Sequence, residues 1–267
     1  MDRQQPQRIE VPIASGEHEI EFRWIAPERH HAPVIVFLHE GLGSLAIWED
    51  WPQRLCDAAE CRGLIYSRYG YGHSTPRPPQ QDWPHDYLER EARESLPAFL
   101  KAKGLDPARE KIILFGHSDG GTIALLYAAA FPQAVSAVIS LAAHVFTEKV
   151  GHARIGYLQS VWQSGGLRER MARLHAAPDE VFAGWSKLWL SPDFQSWDIT
   201  SLLPGITCPL LVVQGRQDQY GTLAQIDAIQ RQVPHAQTHV LENCRHVPHQ
   251  EQPQALLDAC LRFLHSI

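Results

Sequence analysis

The stretch that decides the fold is Lys111-Ile112-Ile113-Leu114-Phe115-Gly116-His117-Ser118-Asp119-Gly120-Gly121-Thr122, and a segment rich in alanine and leucine follows it. The apolar run predicts a buried strand, and the alanine-rich segment predicts a helix. A serine at such a tight strand-to-helix turn has a strained backbone, and its hydroxyl projects from the carboxyl edge of the sheet. Gly116 and Gly120 remove side chains that would collide where the two backbones cross. We therefore predict that Ser118 is a nucleophile.

Outside this stretch, short apolar runs alternate with amphipathic segments. Period-2 alternation at Ile9–Ile13 and Ile20–Ile25 predicts an opening antiparallel hairpin. Buried parallel strands are predicted at Val34–Leu38, Leu64–Tyr66, Lys111–Phe115, Ala137–Leu141, Pro209–Gln214 and Gln237–Leu241. Helices are predicted at Glu49–Glu60, Tyr87–Lys103, Thr122–Ala130, Leu223–Gln232 and Pro253–His265. This alternation predicts an α/β fold with a mostly parallel sheet and helices on both faces.

The alternation is interrupted once, between residues 145 and 203. This region has no buried-strand run but contains four tryptophans, at positions 162, 185, 189 and 197. We predict a helical insertion at 145–203, which divides a core domain into a first part, 1–144, and a second part, 204–267.

Two later strands lead into residues that complete a site with Ser118. The run at 209–214 continues through Gly215 to Asp218, and the run at 237–241 is followed by His246. With the strand–turn–helix around Ser118, this order of serine, acid and histidine resembles the α/β-hydrolase superfamily over nearly the whole chain. The resemblance implies an α/β-hydrolase fold with a helical lid at the insertion. It also implies that His246 is the general base and that Asp218 orients its imidazole.

Other assignments remain open at this stage. Asp218 could instead cap the helix that starts near Thr222. Glu242 is a rival for the acid, because some members of the superfamily carry the acid on a different strand. His249, three residues after His246, is the nearest rival for the base.

The resemblance also implies an oxyanion hole. One donor is the backbone N–H of the residue after the nucleophile, Asp119. The second should come from the loop that begins at His39, where the backbone N–H of Gly41 is preferred and Leu42 lies close behind. The chain departs from the family pattern at Glu40, where glycine is usual, so either the backbone tolerates this side chain or Glu40 reaches toward the site or a neighbouring loop.

The insertion follows the strand that ends near His144, where members of the superfamily carry a lid over the pocket. Aromatic residues in such a lid more often pack it against the body, but here they also predict an enclosed, partly aromatic pocket for a small aromatic or alicyclic acyl compound. The residues predicted for the pocket are Leu42, His117, His144, Trp162, Trp185 and Trp189.

Composition excludes several classes of function. The 267 residues carry a net charge of −6 without a basic stripe, which argues against nucleic acids and anionic membranes as partners. No segment has the roughly 18 consecutive apolar residues of a membrane span, and the residues after Met1 form no apolar signal. Five scattered cysteines without a C-x-x-C pair favour a reducing compartment, so we expect a cytoplasmic protein.

No metal or cofactor is predicted. His39-Glu40 begins the H-E-x-x-H pattern of zinc proteases, but residue 43 is glycine, and no phosphate-binding glycine motif is complete. Self-association remains open.

The predicted function is a serine hydrolase that cleaves a small carboxylic ester, lactone or thioester through an acyl-enzyme. The first alternative is a carbon–carbon bond hydrolase that acts on ring-opened aromatic diketones with the same residues. A receptor with the hydrolase fold but without turnover is the non-enzyme alternative.

Overall fold

One eight-stranded sheet organises the computed structural model, which describes residues 5–79, 81–164 and 166–267. The strands are β1 (Gln7–Ile13), β2 (Gly16–Ile25), β3 (Val34–Leu38), β4 (Arg62–Tyr66), β5 (Ile112–His117), β6 (Ala137–Leu141), β7 (Leu210–Gly215) and β8 (Gln237–Leu241). Their spatial order is β1-β2-β4-β3-β5-β6-β7-β8. Strand β2 is antiparallel to β1 and β4, and the other pairs are parallel. The predicted hairpin and mostly parallel sheet are confirmed.

The α-helices surround this sheet, and several of them cover its two faces. They are α1 (Trp51–Ala58), α2 (Tyr87–Arg90), α3 (Leu96–Ala102), α4 (Asp119–Ala130), α5 (Lys149–Ser160), α6 (Leu167–Met171), α7 (Pro178–Trp189), α8 (Ala224–Gln232), α9 (Pro248–Glu251) and α10 (Pro253–Leu264). Alternate residues of β3 explain the two layers, because side chains along a strand point to opposite faces. Val34, Val36 and Leu38 pack in the core that holds α3, α4 and α8, whereas Ile35 and Phe37 pack in the core that holds α1 and α10.

Two predicted helices differ from their observed form near a proline. The predicted helix Tyr87–Lys103 contains a π-helical turn, Glu91–Ser95, between α2 and α3. Pro97 follows this turn, has no N–H and crowds the preceding turn, so the helix widens before it. The predicted helix from Glu49 begins only at Trp51, because Pro52 occupies its first turn and a short 3₁₀ helix, Leu45–Trp48, precedes it.

The segment between β6 and β7 contains α5, α6 and α7 and two 3₁₀ helices, Asp193–Ser196 and Thr200–Gly205. Its two ends lie side by side, since Phe146 and Asp198 form an antiparallel bridge and the N–H of Ile199 donates to the carbonyl of Val145 at 2.8 Å. The segment therefore leaves and re-enters the sheet at one place, beside the end of β6. No helix among the described residues is both long enough and apolar enough to cross a membrane.

Candidate active site

Three loops at the carboxyl edge of the parallel strands carry the predicted triad. Ser118 lies between β5 and α4, Asp218 follows β7, and His246 follows β8. The backbone of Ser118 has φ 53° and ψ −118°, the strained conformation expected at this turn. A Cβ atom on Gly116 would collide with the carbonyl of Gly120, so the crossing of strand and helix requires glycine there.

The side chains of these three loops form one line of hydrogen bonds. Nε2 of His246 lies 3.0 Å from Oγ of Ser118. Nδ1 of His246 lies 2.9 Å from each carboxylate oxygen of Asp218. An Nδ1–H that donates to the carboxylate leaves the lone pair of Nε2 free to accept the serine proton. This tautomer is the one that base chemistry on Ser118 requires.

The charges of this line are set by burial and by the pairing of His246 with Asp218. Burial by itself lowers the pKa of His246, but the adjacent Asp218 carboxylate outweighs it and the pKa is raised. Burial likewise disfavours the Asp218 anion, yet the charge of His246 and its hydrogen bond hold the pKa of this carboxyl below its usual range. The pair therefore favours an ionised Asp218 beside an imidazole that accepts protons readily.

The rival residues lie elsewhere. Glu242 forms an exposed ion pair with Arg216, whose Nε lies 2.6 Å from its carboxylate. The ring of His249 packs against Trp48 and His117. Asp218 does accept a hydrogen bond from the N–H of Tyr220 at 2.8 Å, but the helix that follows begins only at Ala224. The contact of Asp218 with the N–H of Tyr220 is therefore secondary to its hydrogen bonds with His246.

The two predicted oxyanion donors border the same space. Gly41 and Asp119 line the pocket with Ser118, and neither backbone N–H donates a hydrogen bond within the described residues. Asp119 is the first residue of α4, so the positive end of the helix dipole lies at this position. A Cβ atom on Gly41 would collide with the Trp185 indole, which explains why glycine stands there.

The pocket above Ser118 encloses about 470 Å³ of empty space, part of it open to solvent. Apolar and aromatic side chains of α5, α7 and the loops meet acidic and imidazole groups in its wall. Its lining residues are Glu40, Gly41, Leu42, Ser118, Asp119, His144, Glu148, Gly151, His152, Ile155, Trp185, Trp189, Tyr220 and His246.

Comparison with known proteins identifies the family to which this chain belongs. The model of the alpha/beta hydrolase family matches residues 35–259. This chain belongs to the alpha/beta hydrolase family. The match extends from the start of β3 into α10 and includes every residue of the predicted triad.

Individual relatives are distant from this α/β hydrolase. The human serine hydrolase BPHL is 28% identical over 187 residues, which are 67% of this chain and 61% of the relative, so the chain spans less than two thirds of that protein. An esterase from Thermogutta terrifontis superposes with a TM-score of 0.76 at 22% identity, covering 97% of this chain and 98% of its own. An enol-lactonase from Burkholderia xenovorans LB400 superposes with a TM-score of 0.71 at 19% identity, covering 96% and 100%. At these identities the two structures share the fold with this chain.

Two residues predicted for the pocket of this α/β hydrolase lie elsewhere. The indole of Trp162 stacks on Phe182 at 3.9 Å and donates to Asp179, so it holds the inserted helices together. His117 lies beneath the site, where its Nε2–H donates to the carbonyl of His246 at 2.7 Å. Leu42, His144, Trp185 and Trp189 do line the pocket.

Several functional candidates were missed from the sequence. Tyr220 follows Asp218 by two residues, and its ring centroid lies 4.4 Å from that of His246. Its position two residues after Asp218 is a signal visible in the sequence, because it places Tyr220 beside the predicted acid. Glu148 and Ile155 carry no such signal, because only the path of α5 over the sheet edge brings them to the pocket.

One group of metal-ligating side chains stands out among the described residues. Glu40, His117 and His246 each offer one ligand atom, and these atoms lie within 4.8 Å of one another. His246 is already engaged by Asp218 and Ser118, and one nitrogen of His117 is engaged by a carbonyl group. A metal ion at this cluster would have to displace these hydrogen bonds.

Proposed function

We propose that this α/β hydrolase is a cofactor-free serine hydrolase that cleaves a small carboxylic ester, lactone or thioester through an acyl-enzyme on Ser118. The observation that carries the proposal is the 3.0 Å contact between Oγ of Ser118 and Nε2 of His246, whose other nitrogen bonds Asp218. A serine becomes a useful nucleophile when an oriented base lies at this distance.

Acylation follows from this geometry. Oγ of Ser118 attacks the substrate carbonyl carbon while its proton passes to Nε2 of His246, and Asp218 stabilises the imidazolium. The developing oxyanion would accept hydrogen bonds from the N–H groups of Gly41 and Asp119, which have no other acceptor among the described residues. His246 then donates its proton to the leaving oxygen or sulfur as the acyl bond breaks. Water completes the cycle by the reverse sequence of proton transfers.

The pocket supports a small substrate. The volume of about 470 Å³ includes open solvent, so the enclosed part of this pocket is smaller still. Trp185, Trp189, Tyr220 and Ile155 present apolar surface to the acyl or leaving group. We therefore propose an aromatic or alicyclic group of modest size, with α5 and α7 as the lid above it.

A cytoplasmic location belongs to the same proposal. Its support is the state of the cysteines, because Cys56, Cys61, Cys208, Cys244 and Cys260 are all free and buried. Free thiols persist in a reducing compartment.

The proposal is tested with a substrate panel and a covalent probe. Purified protein is assayed with p-nitrophenyl esters, lactones, thioesters and a vinylogous diketone, and is labelled with a fluorophosphonate. We expect ester, lactone or thioester turnover and a single adduct on Ser118, which mass spectrometry of the tryptic peptide locates. Ser118→Ala should abolish both readouts.

Two outcomes would replace the proposal. Turnover of the diketone alone would assign a carbon–carbon bond hydrolase. Absence of labelling at Ser118, together with absence of turnover on the whole panel, would favour a receptor with the hydrolase fold.

A further inference from the structure

Glu40 occupies the position where the family usually has glycine, and its backbone is firmly held. The carbonyl of Glu40 accepts hydrogen bonds from Nδ1–H of His39 at 2.7 Å, from Nη2 of Arg68 at 2.9 Å and from the N–H of Gly43 at 3.2 Å. Nε2 of His39 in turn accepts from the N–H of Arg68. The loop is fixed through backbone groups, so the side chain of Glu40 is free to serve the pocket that it lines.

The carboxylate of Glu40 differs from the other acidic groups of the pocket wall. The carboxylate of Asp119 accepts a hydrogen bond from the hydroxyl of Tyr87, and that of Glu148 accepts from Thr222 and Gln225. No group within residues 5–79, 81–164 and 166–267 donates a hydrogen bond to the carboxylate of Glu40. The side chain of Glu40 is half-buried at the pocket wall, so water in the pocket is the donor left to its carboxylate.

The short distance from Glu40 to His246 leaves room for a water molecule as that donor, and a ring nitrogen of His117 lies within the same distance of the carboxylate. One carboxylate oxygen and a ring nitrogen of His246 lie within 4.8 Å of each other. Nδ1 of His246 is engaged by Asp218, so Nε2 is the nitrogen that meets solvent from the pocket. A water molecule with hydrogen bonds of about 2.8 Å to two acceptors, at a near-tetrahedral angle, spans about 4.6 Å. A separation of at most 4.8 Å is compatible with one bridging water.

We propose that Glu40 is a catalytic carboxylate that holds the hydrolytic water against His246 during deacylation, an inference that rests on the serine-hydrolase function proposed above. One hydrogen of the water points to Glu40 and the other to Nε2 of His246. The water oxygen attacks the carbonyl carbon of the acyl-enzyme while its second hydrogen passes to Nε2. The bond from the carbon to Oγ of Ser118 then breaks, and the proton moves from Nε2 to Oγ. Glu40 keeps its protonation state throughout, and the product is the free acid.

A purely electrostatic role is the main rival explanation. The charge of Glu40 also acts on His246, and a change in that charge would alter both half-reactions, because His246 transfers a proton in each of them. A water-holding role affects deacylation alone. Methanol separates the two roles further, since it has one hydroxyl hydrogen, which His246 takes, and has none left for Glu40.

The experiment compares Glu40→Gln with wild type and with the matched control Glu242→Gln, which changes an exposed carboxylate paired with Arg216. Stopped-flow with p-nitrophenyl acetate gives the acylation burst and the steady-state rate. Intact-protein mass spectrometry follows the decay of the acetyl-enzyme. The ratio of methyl acetate to acetate is measured in dilute methanol.

In Glu40→Gln we expect the burst rate and kcat/KM to stay within about threefold of wild type. We expect the acetyl-enzyme to decay about 10- to 100-fold more slowly, so that kcat and KM fall together. The ratio of methanolysis to hydrolysis should rise by a similar factor. Glu242→Gln should behave as wild type in every readout.

Equal losses in acylation and deacylation, or an unchanged methanol ratio, would overturn the inference and assign Glu40 an electrostatic role. Unchanged kinetics in Glu40→Gln would also overturn it. Failure of the proposed function looks different, because wild type itself would then show neither a burst nor an acyl-enzyme. Fluorophosphonate labelling of Glu40→Gln at the wild-type rate verifies that the variant is folded.

Discussion

The backbone of Ser118 adopts a conformation that is unfavourable for an isolated serine. A non-glycine residue at φ 53° and ψ −118° costs about 1–3 kcal/mol. Hydrogen bonds fix both sides of it, from its own N–H to the carbonyl of Leu141 at 2.8 Å and from the N–H of Thr122 to its carbonyl at 3.0 Å. In this conformation Oγ lies 3.0 Å from Nε2 of His246, which is the contact on which the proposed function rests.

Two substitutions of Ser118 separate the loss of the nucleophile from the relief of backbone strain. Ser118→Ala should reduce kcat by about 10⁴- to 10⁶-fold, as loss of a triad nucleophile does in other hydrolases, with little change in stability. Ser118→Gly should be equally inactive but more stable than Ser118→Ala, by about 1 kcal/mol, because glycine adopts this backbone without strain. Urea unfolding of the two variants measures the difference. Equal stabilities would mean that the turn carries no strain.

The pairing of His246 with Asp218 predicts the pH dependence of the reaction. His246 must be neutral to act as a base, so kcat/KM should rise with pH through an apparent pKa above the ordinary histidine value of about 6.5, since the Asp218 carboxylate raises the pKa of His246. In Asp218→Asn the largest influence that raises this pKa is removed, while burial still lowers it and Glu40 and Asp119 still raise it, so the apparent pKa should fall while kcat drops by about 10⁴-fold. The pH–rate profiles of both proteins measure this shift.

The control for this experiment is Glu242→Gln, whose profile should match wild type because Glu242 pairs with Arg216 away from the site. A loss of activity confined to Glu242→Gln would move the acid from Asp218 to Glu242.

The crossing of β5 and α4 is the element on which the site depends, and its tight packing is testable with two glycines. A Cβ atom on Gly120 would collide with the carbonyl of Leu38, whereas a Cβ atom on Gly156 in α5 has nothing within 4 Å. Gly120→Ala should destabilise the protein by about 3 kcal/mol or more, through overpacking against backbone. Gly156→Ala should stabilise it by about 0.5–1 kcal/mol, because glycine inside a helix is unfavourable relative to alanine.

Thermal unfolding of both variants provides the measurement. A Gly120→Ala protein that melts with wild type would show that α4 can move away from β3 without cost.

At the scale of elements, the sequence predicts what depends on local pattern. The order of strands and helices follows from apolar runs, and Asp218 and His246 could be proposed because each lies in the loop after a recognisable strand. Contacts that depend on the path of distant segments were beyond such reasoning. Trp162 joins Phe182 within the insertion rather than facing the pocket, and His117 supports His246 from below. The family pattern marked Glu40 as unusual, but only the fold brings its carboxylate near His246.

Across the whole molecule, buried histidines tie stability to pH. Burial lowers the pKa of His117, His144 and His39 and, together with the nearby His246, lowers that of His249 to about 3. These side chains fold in their neutral form, so acid favours the unfolded chain, which binds the additional protons. Buried carboxyls act in the opposite sense, because burial raises the pKa of Glu40, Glu91 and Asp119.

A variant at His249 isolates one contribution from this balance. His249 is packed against Trp48, and neither of its ring nitrogens has a hydrogen-bond partner among the described residues. Its pKa is about 6.5 in the unfolded chain and about 3 in the fold, so its share of stability is lost as pH falls from 6.5 toward 3. At pH 5 this loss amounts to about 2 kcal/mol, from 1.5 pH units at about 1.4 kcal/mol each.

His249→Phe keeps an aromatic ring in this place and removes the titrating group. Between pH 7 and pH 5 the variant should lose about 2 kcal/mol less free energy of unfolding than wild type, measured by urea unfolding at each pH. The comparison uses the change with pH, so a uniform gain from the more apolar ring does not affect it. Parallel curves for the two proteins would mean that His249 takes up its proton inside the fold, and the packing around Trp48 would then have to admit a charge.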